Sequence, residues 1–173
     1  MEPKMAGRTA EQVNTYARTD HSNGVHELHT SGFLAGTLIM TAEGELPVEY
    51  LNAGDRIVSR NRGLVRLHGV HQSFDILDPI HMSAHALGPD LPRGHLSLRT
   101  GQPVLLRNWL AKALHGAPEA IINAEKLVNG ETIVRGTKRR TTLLHLQFDA
   151  PQIIYANGLE MIVERERIAS LTE

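Results

Sequence analysis

Ten histidines and no cysteine set the chemistry open to this chain. Without cysteine there are no disulfides, no thiolate metal sites and no thiol nucleophile, so imidazole, hydroxyl, carboxylate and amide groups must do whatever is done. His21, His26 and His29 gather near Asp20 and Glu27, a grouping of the kind that holds zinc or nickel through imidazole nitrogen. Their spacing fits no strong zinc motif. A tail also offers no packed neighbours to orient the ligands, so solvated histidines are the favoured reading and no cofactor is expected. His68 and His71 cannot share one face of a strand, whereas His81 and His85, four apart, can. For all four the favoured reading is a surface strand residue. Asn129-Gly130 and Asn157-Gly158 read as turns, and Lys138-Arg139-Arg140 as a solvated basic hairpin tip that discourages edge pairing.

The 173 residues suffice for one ordinary domain and a tail. Hydrophobic residues make up 41% and aromatics only 4%, so aliphatic side chains must fill the core. Eighteen basic against nineteen acidic residues leave a formal charge of −1, which gives no footprint for nucleic acid or an anionic membrane. No apolar run reaches the roughly 18 residues a membrane helix needs, and the N-terminus lacks the apolar segment of a secretory signal. The expected location is the cytoplasm, or outside the cell by a non-classical route.

Residues 1–30 read as a flexible tail: apolar residues are sparse, and burial cannot offset the entropy of ordering. From Phe33 onward short apolar runs alternate with turn signals, the pattern of an all-β domain with short helical turns. Strands are expected at Thr37–Thr41, Arg56–Arg60, Leu64–Asp75, Ile80–Leu87, Leu96–Arg99, Val104–Arg107 and Ala120–Ala124. Brief helical turns are expected at Pro47–Leu51 and Glu125–Leu127, and a short helix is the alternative around Trp109–Leu114. Glu131–Arg135 and Thr141–Phe148 look like the arms of a hairpin around Gly136–Arg140. Gln152–Ala156 and Leu159–Val163 flank Asn157-Gly158, the strongest hairpin signal in the chain. The charged last residues, 165–173, read as a second tail.

Patterning alone stops at that point. The stretch Gly32-Phe-Leu-Ala-Gly-Thr-Leu-Ile-Met-Thr-Ala-Glu-Gly-Glu-Leu-Pro-Val-Glu-Tyr-Leu-Asn-Ala-Gly-Asp55 resembles the opening block of bacterial Hint domains, the hedgehog/intein autoprocessing family. Further blocks follow in family order: Ala86-Leu-Gly-Pro-Asp-Leu-Pro-Arg93, which resembles a loop of the alphaproteobacterial branch, Ala124-Glu-Lys-Leu-Val-Asn-Gly-Glu-Thr-Ile133, and His145-Leu-Gln-Phe-Asp149 with Ala156-Asn-Gly-Leu159. The resemblance implies an all-β, intein-like horseshoe with pseudo-twofold halves over residues 31–164.

It also implies a reaction, the acyl shift that begins when the first Hint side chain attacks the preceding peptide carbonyl. Here that position is Gly32, which has no side chain. Ser31, one residue earlier, is the possible substitute; it would cleave after Thr30, although the Phe-x-x-Gly-Thr spacing places the register at Gly32. The family's proton-shuttling histidine falls in Arg99-Thr-Gly-Gln-Pro-Val-Leu-Leu106, where Gln102 stands, and an amide moves no proton near neutral pH. Thr100 remains from that block and reads as a turn residue. A late His-Glu pair of many relatives is replaced by Pro151-Gln152. His145 alone keeps a family histidine, with a structural role expected, its ring bonded to neighbouring backbone. The resemblance therefore implies a degenerate Hint domain, not an active enzyme, serving as a binding or interaction module for a protein or peptide. Its expected pocket is lined by Gly32, Thr37, Gln102 and His145. Residual cleavage at Thr30–Ser31 is the competing expectation.

Overall fold

The computed structural model describes residues 32–164, so Ser31, the proposed tails and the histidines at 21, 26 and 29 lie outside the described residues. Within them the chain runs through fourteen strands: β1 Phe33–Leu34, β2 Leu38–Thr41, β3 Gly44–Pro47, β4 Arg56–Ser59, β5 Gly63–Arg66, β6 Gly69–Leu77, β7 Ile80–Met82, β8 Leu96–Leu98, β9 Pro103–Arg107, β10 Glu119–Asn123, β11 Ile133–Arg135, β12 Arg139–Gln147, β13 Gln152–Ala156 and β14 Leu159–Val163. One α-helix, α1 at Asn108–His115, and 3-10 turns at Val48–Tyr50 and Ala124–Leu127 complete it. Gly116 ends α1 in the left-handed conformation, its N–H bonded to the Lys112 carbonyl, as a glycine cap does.

The strands form two antiparallel sheets. One has six strands in the order β11-β7-β8-β1-β12-β6; the other is built on β10-β9-β14-β13-β2-β4-β5, with β3 beside β2. The chain crosses between them after only three residues, 35–37, so β1 and β2 belong to different sheets. Period-two alternation puts Phe33, Leu144 and Leu146 on the inner face of the six-stranded sheet, where they join Ile39, Ile57, Ile154 and Met161 in one aliphatic core.

The Asn157-Gly158 hairpin forms in the expected register, Ala156 opposite Leu159, with both turn residues at positive φ. The Asn157 side chain does more than turn the chain. Buried to 3% exposure, its Oδ1 accepts the Leu38 N–H (2.8 Å) and its Nδ2 donates to the Arg93 carbonyl (2.9 Å), tying β2 and the 88–94 loop to the turn.

Several expectations are corrected. Glu131–Arg135 and Thr141–Phe148 are not a hairpin: β11 pairs with β7, where buried Ile133 meets Met82, and β12 pairs with β6 and β1. Core burial of Ile133 outweighs the local turn signal. Arg139 and Arg140 accordingly lie in a strand, with the Arg140 guanidinium 4.7 Å from the Phe74 ring centre. The run Leu64–Asp75 is broken at Leu67-His68, and its halves enter different sheets. Ile80–Leu87 is a strand only to Met82. His85 sits in the following turn at φ 62°, so it does not share a strand face with His81.

Candidate functional site

Register places the family positions. Phe33 opposes Leu144 in β12, so Gly32, one residue earlier, opposes His145, and His145 opposes His71 in β6. Gly32, His145 and His71 therefore form one row across three strands, and Leu34, Leu143 and Ser73 form the next. Residues directly opposite share a face, and both rows lie on the face turned away from the main core.

Gly32 packs against the imidazole. A Cβ on Gly32 would stand 3.0 Å from His145 Cε1 and 3.3 Å from Leu143 Cβ, so a side chain there is tight and ring and leucine would have to give by a few tenths of an ångström. His145 is buried, and its Nε2 lies 2.7 Å from the Ser73 hydroxyl. A serine side chain is thus one partner of the ring. The His71 ring centre is 6.0 Å from that of His145. On the same face Asp75 holds Arg99 at 3.0 Å. Thr37 is buried with its hydroxyl donated to the Leu34 carbonyl at 2.8 Å, which braces the crossover between the sheets. Thr100 lies in the turn before β9, and its carbonyl accepts the Glu125 N–H.

Gln102 belongs to the other sheet. Extending the β9–β14 register (Glu160 with Leu105, Met161 with Val104) sets Gln102 opposite Val163, which on its other side opposes Gln152. Both glutamines are fully buried. Gln102 Nε2 donates to the carbonyls of Pro103 (3.1 Å) and Ile162 (3.3 Å), and its Oε1 has no partner. Ser59 Oγ sits 2.6 Å from Asn61 Oδ1 and 2.7 Å from Gln152 Oε1, yet it owns a single hydrogen. Asn61 Oδ1 also accepts the Ile153 N–H. With the Gln152 amide turned end for end, its Nε2 donates to Ser59 Oγ and the Ser59 hydrogen goes to Asn61 Oδ1, while the other polar atom of the Gln152 amide is buried without a partner. So the structure brings Gly32 and His145 together and anchors Gln102 to the end of β14. Ser73, which no sequence pattern singled out, and His71, read from the sequence as a surface strand residue, stand beside His145; the β6–β12 register reveals them.

A second imidazole cluster lies elsewhere on the same sheet. His81 Nδ1 is 2.7 Å from Ser97 Oγ, His95 Nε2 is 3.3 Å from it, and the rings stack with centres 5.6 Å apart. Burial first, then the charges of His95 and Arg139, holds His81 below the usual histidine range. Among the described residues no three histidine or carboxylate side chains gather as metal ligands.

Two antiparallel sheets joined by a short crossover define an intein-like β fold. A solved relative, the bacterial intein-like domain from Clostridium thermocellum, superposes with a TM-score of 0.50 at 16% identity, covering 78% of this chain and 99% of that one. The MchDnaB-1 intein is looser, with a TM-score of 0.47 at 11% identity over 78% of this chain and all of that one. The Hint domain family model matches residues 31–162, and the chain belongs to that family. No curated protein matches the chain. Among the described residues no helix is long and apolar enough to cross a membrane.

Proposed function

We propose that this Hint domain no longer cleaves its own backbone and serves as a binding module for a protein or peptide, with no nucleic-acid or membrane partner. One observation carries the reading. Gly32 offers no nucleophile, and its open side is packed closely against His145 and Leu143. The two buried glutamines support it. Gln102 spends its amide hydrogens on backbone carbonyls and has no group that moves a proton. The face around Gly32 and His145, bordered by exposed His71, is the surface assigned to the partner.

The test is the intact mass of the purified full chain, followed for days at neutral pH with and without hydroxylamine. An unchanged mass is expected. Release of the residues before Ser31, accelerated by hydroxylamine and abolished by Ser31→Ala, would establish cleavage at Thr30–Ser31 and overturn the proposal.

A further inference from the structure

We propose that Ser73 and His145 form a nucleophile–base pair that takes an acyl group from an external carboxylic ester, chemistry relocated from the vacated first position of the domain to strand β6. The inference goes beyond the binding role and does not require the protein's own backbone to be cut.

Ser73 Oγ and His145 Nε2 stand 2.7 Å apart, within the range at which an imidazole takes a hydroxyl proton as the oxygen attacks. The pair sits at the right place. His145 is the ring that borders Gly32, where the family's nucleophile leaves the chain, and Ser73 approaches that same ring from the neighbouring strand. Ser73 is half-buried on β6, an edge strand of its sheet that pairs with β12 alone among the described residues, so a substrate can reach it from the open side. Leu143 lies directly opposite Ser73, and Leu34 and Leu77 pack with it, so the base of the pair is apolar. The Asp75–Arg99 ion pair lies two residues along β6 from Ser73.

The step balances without a cofactor. With its ring proton on Nδ1, His145 accepts the Ser73 hydroxyl hydrogen at Nε2 as Oγ bonds to the ester carbonyl carbon. The C–O bond to the leaving alcohol breaks, and His145 returns the proton to that oxygen. Water then bonds to the acyl carbon, giving a proton to the same nitrogen; the acyl–Oγ bond breaks, that proton returns to Ser73 Oγ, and the carboxylic acid leaves. An ester suits the pair because its alkoxide leaves more readily than an amine.

The experiment treats the full chain with an alkyl fluorophosphonate, whose phosphorus accepts Ser73 Oγ as fluoride departs, and reads intact mass and the labelled peptide. One adduct, on Ser73, is expected. Ser73→Ala should abolish it, and His145→Gln should slow it by about tenfold or more, the contribution of a general base. Ser97→Ala is the control, because Ser97 has an equally short contact to His81 and not to His145; it should label as the parent does. No adduct, an adduct on another residue, or Ser73 labelling indifferent to His145→Gln would each overturn the assignment. The outcome is separate from the hydroxylamine test, which reads the backbone and not Ser73.

Discussion

At residue scale the glycines at 32 and 136 are places where a missing side chain admits an imidazole. Gly32→Ala sets a methyl 3.0 Å from the His145 ring, and overpacking of that kind costs about 1–3 kcal/mol. Thermal unfolding should show it as a fall of roughly 2–4 °C per kcal/mol, and a paired His145→Ala change should return part of the loss. Gly136→Ala is more severe, because its Cβ would lie 2.5 Å from His81 Nε2. His81 itself gives a pH signature. Its folded pKa is lowered, chiefly by burial, so the unfolded chain binds the proton first as pH falls. Stability is intact above the ordinary histidine value and is lost as pH drops below it. His81→Gln should flatten the part of the profile below about pH 6.5 in urea titrations; an unchanged slope would refute the assignment to His81.

At element scale the final hairpin shows what sequence can and cannot say. Asn157-Gly158 announces a two-residue turn, and strands β13 and β14 form with the expected bounds. The dipeptide is silent about Asn157 holding Leu38, more than a hundred residues away, because such a partner is set by packing. Asn157→Gly keeps the positive φ but leaves the Leu38 N–H and the Arg93 carbonyl unpaired, which should cost about 2–4 kcal/mol. Asn157→Ala adds roughly 1 kcal/mol for the left-handed backbone. Chemical denaturation of the two variants separates the terms, and equal stabilities would show that backbone strain plays no part. The hairpin expected around Gly136 failed for the opposite reason. A flexible, charged segment looked like a turn, while the decisive contact, Ile133 against Met82, joins residues some fifty positions apart. Similarly, Gly32 and Gln102 were legible as altered family positions, but Ser73 was not, since its contact with His145 spans 72 residues.

At the scale of the whole molecule, long-range pairing dominates. Phe33 meets Leu144 and Leu98, and Ile39 meets Ala156, so the first strands cannot settle until most of the chain is present. Topology of this kind folds slowly, and stopped-flow refolding should fall in the millisecond-to-second range; microsecond refolding would contradict the assigned topology.

The two residues of β1 carry one more consequence. Among the described residues they form the one strand of the six-stranded sheet hydrogen-bonded both to the block β11-β7-β8 and to the pair β12-β6. Tension applied through the N-terminal end enters the fold there and meets three residue pairings: Phe33 with Leu98, Phe33 with Leu144, and Leu34 with Leu143. A tug on the chain ahead of Gly32 would therefore open a seam down the middle of the sheet before loading any outer strand. It would draw Gly32 away from His145, so the site is also the point of least mechanical resistance.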